Sequence, residues 1–249
     1  MPYRTLDLAE AASYLHLTRV ELEHLVRTSD IPFVTRGSRI AFLRGALDEW
    51  ASRRILGAAP KSLDDIHRRS TQASQEYLEA EALLPSLLKP GQIDLQLPSK
   101  TKKSALRDIV ALAETTGAVL DPAALRASLE EREELCSTAL PGGFALLHSR
   151  HHQEYLFESS FIAFARTLQE IHFGSPDGLP TRLFFLVCCH DERLHLHALA
   201  RLCTVLLKSD VVPLLFSLTD RDELYDALIA AEKAVLEGRK RTRPAIEST

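Results

Sequence analysis

Three basic side chains are the first candidates for chemistry in this sequence: His148, Arg132 and His195. His148 follows the glycine turn at Gly142 and Gly143 and a short apolar run, which predicts an imidazole exposed at a strand end, beside backbone N–H groups that can bind an anion. Arg132 lies upstream at the end of a helix, and His195 begins a helix. If these side chains converge, they suit a phosphoryl group: one ring nitrogen attacks, and the other groups neutralise the phosphoryl oxygens.

Other candidate residues predict neither a metal nor a cofactor. His151 and His152 are adjacent, and no carboxylate or thiolate stands at a spacing that would complete a metal site with them. The four cysteines have no C-x-x-C spacing, so the sequence indicates neither a zinc ribbon nor a disulfide framework. Cys188 and Cys189 lie in an apolar run, and we interpret them as core residues.

The elements that must position these side chains fall into two unequal domains. Residues 1–55 predict two helices, a small hairpin and a closing helix, and residues 56–82 predict a linker or connecting helix. Residues 83–233 predict an α/β domain whose central strand is covered by helices on both faces; its strands are expected at 93–97, 144–147, 161–164 and 183–189. The basic residues 234–249 are expected to form a disordered tail.

Charge and hydropathy exclude several classes of protein. The net charge of −4 and the pI near 6.2 rule out a globally basic nucleic-acid coat, although a local basic patch is compatible with them. The most apolar runs, 183–189 and 211–218, are too short to span a bilayer. The first residues carry acids where a signal peptide needs an apolar stretch. We therefore expect a soluble cytoplasmic protein that does not associate with membranes.

Residues 83–231 resemble the enzyme IIA domains of the bacterial sugar phosphotransferase system, in the fructose/mannitol class that includes nitrogen-regulatory members. Several separated motifs occur in family order, which is more specific than one short pattern. They are Glu131-Arg132-Glu133, Ser137-Thr138, Gly143-Phe144-Ala145-Leu146-Leu147-His148, the stretch 171–178, the stretch 183–187 and His195-Leu196.

The resemblance implies a mixed β-sheet with helices on both faces and a phosphoryl acceptor at His148. The donor would be a phosphohistidine on the small carrier protein HPr or on its nitrogen-branch counterpart. Arg132 and His195 match the phosphate-site arginine and second histidine of the family. The candidate phosphate-site loop comprises Ser137, Thr138, Gly142 and Gly143.

The N-terminal stretch from Leu6 to Trp50 resembles the excisionase/MerR-like helix-turn-helix domain with a small wing. Such domains place the second helix in the major groove of DNA, while the wing contacts the backbone. The candidate DNA-binding residues are Arg19, His24 and Arg27 on the second helix and Arg36 and Arg39 on the wing. Glu21 and Glu23 on the same helix would repel phosphates, so contact with another protein is the alternative.

We therefore predict a regulatory phosphocarrier that couples the state of His148 to DNA or protein binding by the N-terminal domain. A first alternative is a regulator that is not phosphorylated, because Leu147 and Ser149 stand where the family usually has proline and glycine. A second alternative is an enzyme IIA component of sugar uptake. Two further candidate partners are an unidentified regulatory target protein and, in a homodimer, a second copy of this chain.

Overall fold

A winged helical unit precedes a larger α/β unit along the chain. The computed structural model describes residues 5–15, 17–37, 39–57, 82–149, 156–190 and 192–241. The predictions for His151 and His152, for most of the linker (58–81) and for the last residues of the tail (242–249) lie outside the described residues. None of the helices in the described ranges is both long enough and apolar enough to cross a membrane.

The N-terminal unit consists of three helices and a small antiparallel sheet of order β1-β3-β2. Helices α1 and α2 begin at capping boxes, in which Asp7 and Thr18 accept hydrogen bonds from backbone N–H groups of the first turn. The elements are β1 (Thr5–Leu6), α1 (Leu8–Tyr14), α2 (Arg19–Arg27), β2 (Val34–Arg36), β3 (Arg39–Leu43) and α3 (Arg44–Leu56).

The second unit contains a five-stranded mixed sheet of order β4-β7-β8-β6-β5. The pairs β4–β7 and β6–β8 are parallel, and the pairs β7–β8 and β5–β6 are antiparallel. The elements are α4 (Leu84–Leu87), β4 (Ile93–Leu97), α5 (Lys102–Glu114), α6 (Pro122–Leu135), β5 (Ala139–Leu140), β6 (Phe144–His148), β7 (Phe161–Ile171), β8 (Thr181–Cys188), α7 (Glu192–Lys208), α8 (Val211–Ser217) and α9 (Arg221–Arg241).

Both faces of this sheet are buried, because successive side chains of a strand point to opposite sides. Phe144 and Leu146 of β6 join one apolar cluster with α7, α8 and α9. Ala145 and Leu147 join a second cluster, formed with α5 and α6 on the opposite face. This arrangement explains the nearly continuous apolar sequence of the central strands and confirms the predicted mixed sheet with helices on both faces.

The disordered tail predicted from residue 234 is wrong for residues 234–241, where α9 continues to Arg241. Its apolar stripe extends to Leu236, which is buried. One turn earlier, buried Glu232 pairs with Arg201 of α7 at 2.9 Å and accepts hydrogen bonds from two backbone N–H groups at the start of α4. These contacts hold the helix past the point at which the sequence becomes basic.

Candidate active site

The candidate site lies at the carboxyl edge of two parallel strands. His148 is the last residue of β6 and pairs with Val187 of β8. Helix α7 starts shortly after β8 and carries His195 in its first turns. Since parallel strands end at the same edge of a sheet, the chain returns His195 to the side of His148. The structure thus brings together two residues that are 47 positions apart in the sequence.

The ring of His148 is held in one tautomer. Its Nδ1 lies 2.9 Å from the carbonyl oxygen of Leu146, which can only accept, so Nδ1 carries the proton. The lone pair is therefore on Nε2, which accepts a hydrogen bond of 3.0 Å from Nε of Arg132. The ring of His195 lies 5.3 Å from that of His148, centroid to centroid, at an interplanar angle of 54°.

Arg132 reaches this ring from the last turn of α6 and is 1% exposed. Its Nη1 donates to the carbonyl oxygen of Cys136 at 3.0 Å and contacts the Cys136 sulfur at 3.4 Å. Its Nη2 is buried and has no hydrogen-bond acceptor among the described residues. Since an unsatisfied buried donor is costly, a guanidinium in this state is suited to bind an oxyanion.

Burial sets the protonation state of His148. The side chain is 2% exposed, so the exposed strand end predicted from the sequence is wrong; β6 is a central strand, and helices cover both faces of the sheet. Desolvation lowers the pKa of His148 well below its usual value, and the neighbouring Arg132 and His195 lower this pKa further. The hydrogen bond to Leu146 opposes these effects, but only partly. The imidazole is consequently neutral near pH 7 and keeps a nucleophilic nitrogen.

Two of the four predicted loop residues lie toward the His148 end of β6. The carbonyl of Thr138 accepts from the N–H of Leu146 at 3.1 Å. The Thr138 hydroxyl donates to buried Glu133 at 2.6 Å, and the Ser137 hydroxyl donates to the Phe173 carbonyl at 2.8 Å. Both hydroxyls are therefore engaged with the protein and fix the course of the loop.

The structure does not bring the other two loop residues to the site. Gly142 and Gly143 form the turn between β5 and β6, with φ of 100° and 80°. This turn precedes β6, whereas His148 ends it, and a strand rises about 3.3 Å per residue, so Gly143 and His148 are roughly 17 Å apart. The prediction that Gly142 and Gly143 contact phosphate is wrong, because residues close in sequence stand at opposite ends of one strand.

Sequence reasoning missed two groups that orient the site: the Leu146 carbonyl and Cys136. No pattern singles out a backbone carbonyl, although its position two residues before His148 on a strand is compatible with such a contact. Glu133 belongs to the Glu-Arg-Glu motif, but its role was not predicted. It is buried, accepts from the Thr138 N–H at 3.0 Å and pairs with Lys102 at 2.9 Å.

The DNA-binding candidates of α2 are exposed on its surface. Arg19 pairs with Glu23 at 2.8 Å, and Arg27 lies 3.2 Å from Nδ1 of His24. Glu21 is used internally, because it accepts from Thr18 in the capping box. The carboxylates that would repel phosphate thus have partners within the helix.

The wing candidates lie on the β2–β3 hairpin. Arg36 ends β2, Arg39 begins β3, and the two residues pair across the strands. The side chain of Arg39 is exposed.

Comparison with known proteins assigns the two structural units to two different families. Residues 86–231 match the family described as phosphoenolpyruvate-dependent sugar phosphotransferase system, EIIA 2, and residues 5–55 match a helix-turn-helix domain family. A nitrogen regulatory protein of Bradyrhizobium diazoefficiens is 33% identical over 148 residues, which is 58% of this chain and 94% of that protein. A fructose-specific EIIABC component of Bacillus subtilis is 26% identical over 152 residues, which is 60% of this chain but 24% of that protein.

A solved structure is similar over the same region. The nitrogen regulatory protein IIA-Ntr of Neisseria meningitidis is 27% identical, with a TM-score of 0.53, and the match covers 59% of this chain and 99% of that structure. The family match spans more than half of the chain and includes the buried arginine and both histidines described above. The chain therefore belongs to the type 2 EIIA family of the phosphoenolpyruvate-dependent sugar phosphotransferase system.

Proposed function

We propose that this chain is a regulatory phosphocarrier that accepts a phosphoryl group on Nε2 of His148 and binds DNA through its helix-turn-helix unit. The observation that carries the proposal is the fixed tautomer of His148. Its Nδ1 proton is held by the Leu146 carbonyl at 2.9 Å, which leaves the Nε2 lone pair facing the Arg132 guanidinium.

The donor would be a phosphohistidine of an HPr-type carrier. As the Nε2 lone pair attacks phosphorus, the P–N bond of the donor breaks, and its electron pair returns to the donor ring. Nε and Nη2 of Arg132 would bind the phosphoryl oxygens, and Nη1 would stay on Cys136. The start of α7 adds the positive end of a 17-residue helix on the same edge of the sheet.

The retained proton on Nδ1 also favours onward transfer. With that proton in place, the ring leaves phosphorus as neutral imidazole and not as the far more basic imidazolate. Because the Leu146 carbonyl keeps the proton on Nδ1, the site is arranged to receive a phosphoryl group and to release it. This property distinguishes a carrier from a site that stores phosphate.

A regulatory role is supported by the helix-turn-helix unit at the N-terminus. One relative of this chain is named as a nitrogen regulatory protein, and the match covers 94% of that protein. The B. subtilis relative, a fructose-specific EIIABC component, is matched over only 24% of its length and is therefore a much longer chain. The exposed side chains of Arg19, Arg27 and Arg39 would supply contacts to DNA phosphates.

The test is phosphoryl transfer in a purified system. The full chain is incubated with radiolabelled phosphoenolpyruvate, the first enzyme of the phosphotransferase system and HPr or its nitrogen-branch counterpart. We expect acid-labile label on the wild-type chain and none on His148→Ala, whereas exposed His172→Ala is labelled normally. Undiminished labelling of His148→Ala would refute the assignment.

A further inference from the structure

Helix α3 belongs to both units of the chain. Its first half completes the N-terminal core through Leu47, which is fully buried. Its second half buries Ala51 and Ile55 in the apolar cluster that covers one face of the large sheet. Trp50 packs against both clusters. The helix-turn-helix unit is thus docked on the EIIA unit and not merely tethered to it.

The surface on which α3 docks is formed by α7, the helix that carries His195. The two helices pack against each other, and residues such as Leu199, Leu202 and Cys203 of α7 share the cluster of Ala51 and Ile55. One continuous helix therefore contacts the ring of His148 through His195 and also supports the DNA-binding unit.

We infer that α7 relays the phosphorylation state of His148 to the helix-turn-helix unit through its contact with α3. The inference rests on the proposed function, because the input is a phosphoryl group on His148. In this inference α7 transmits the signal, and Ala51 and Ile55 of α3 receive it.

The physical basis is the crowding at Nε2 of His148. A phosphoryl group added there brings about −1.5 to −2 charges, by analogy with phosphorylated hydroxyls, into a space now filled by Arg132 and flanked by His195. It attracts the positive start of α7 and needs room beside the His195 ring. The first turns of α7 must adjust to accommodate it.

Helix α7 is joined to its neighbours by buried polar contacts. Arg201 and Glu232 form a fully buried ion pair between α7 and α9, and Glu232 also holds the N–H groups of Leu83 and Leu84. Such packed elements shift between discrete arrangements and do not bend continuously. A shift at the start of α7 therefore changes the surface on which Ala51 and Ile55 rest.

Trp50 is the single tryptophan of the chain, so the fluorescence of the protein reports on the contact between α3 and α7. Its indole N–H donates to the Asp30 carbonyl, and the Arg54 guanidinium lies 5.2 Å from its ring. The full chain is phosphorylated as above, and label incorporation, Trp50 emission and amide hydrogen exchange of residues 44–56 are measured on the same sample. We expect Trp50 emission to shift and exchange in α3 to change by ~5-fold or more, the lower range of allosteric coupling.

Two variants separate the relay from the carrier activity. Ile55→Ala truncates the docked face of α3; we expect it to be labelled at His148 while the Trp50 response is lost. Leu168→Ala removes an apolar side chain of similar size that is 57% exposed, and it should keep both labelling and response.

The outcomes of these measurements distinguish a failure of the relay from a failure of the carrier function. Full labelling of the wild-type chain with unchanged Trp50 emission and unchanged exchange in α3 would overturn the relay and leave the carrier function standing. Absence of label on the wild-type chain would overturn both proposals together. Should Ile55→Ala fail to fold, the wild-type measurement remains sufficient.

Discussion

Nε of Arg132 lies 3.0 Å from Nε2 of His148, so the guanidinium occupies the direction from which a phosphorus atom would approach. The same guanidinium has a buried Nη2 with no acceptor among the described residues. Under the proposed function, phosphorylation of His148 would exchange this contact with the ring for contacts between Arg132 and the phosphoryl oxygens. In that proposal Arg132 would cover the Nε2 lone pair before transfer and bind the developing charge during transfer.

The first prediction concerns this arginine. Arg132→Gln should slow the initial rate of phosphoryl transfer to His148 by roughly 10²–10³-fold, because the donors to the transferring group are lost. The rate is measured by rapid quench with labelled donor. Arg126→Gln, an exposed position on the same helix, serves as the control and should match the wild-type rate. Equal rates for Arg132→Gln and wild type would remove Arg132 from the mechanism.

Sequence patterns predict the elements of this fold well where the local pattern of apolar residues determines the structure. The alternation of Ile93, Leu95 and Leu97 gave strand β4 with its observed bounds. The apolar run that ends at His148 gave β6 to within one residue. The motif order also pointed to the three side chains that meet at the carboxyl edge.

Sequence patterns do not predict the features of this structure that depend on contacts between elements far apart in the chain. The sequence predicts Gly142 and Gly143 at the phosphate site, close before His148, but strand geometry separates them from that residue. The docking of Ala51 and Ile55 on α7 was not predicted, since an apolar face does not specify what covers it. The burial of His148 likewise depends on helices that are far away in the sequence.

The second prediction concerns pH. The pKa of His148 in the folded chain is well below the 6.5 expected when unfolded, so below about pH 6.5 the unfolded state binds the extra proton. Stability is therefore lost as pH falls, by up to about 1.4 kcal/mol per pH unit from this residue. Urea unfolding of wild type and His148→Gln at several pH values measures the difference. The variant should show the shallower dependence; parallel curves would contradict the depressed pKa.

The third prediction concerns Glu133, which is buried and binds both the N–H and the hydroxyl of Thr138 as well as Lys102. Glu133→Ala leaves these donors without their acceptor and should lower the free energy of unfolding by about 3 kcal/mol. Glu134→Ala removes an exposed carboxylate from the next position and should change it by less than about 0.5 kcal/mol. Chemical denaturation measures both, and similar losses in the two variants would show that the buried contacts contribute little.

The fourth prediction concerns DNA binding by the wing. Arg39 is exposed at the start of β3, where the hairpin presents it beside the turn at Gly37. If it contacts a phosphate, Arg39→Ala should weaken binding to all duplexes similarly and reduce the salt-dependence slope by about 1. Fluorescence anisotropy with duplexes selected from a random pool, at several salt concentrations, measures both quantities. Arg126→Ala makes the same change of charge on the EIIA unit and should leave the slope unaltered, because a distant charge releases no counterions from the bound DNA. If both variants lower affinity equally, the effect reflects net charge, and the wing does not contact the backbone.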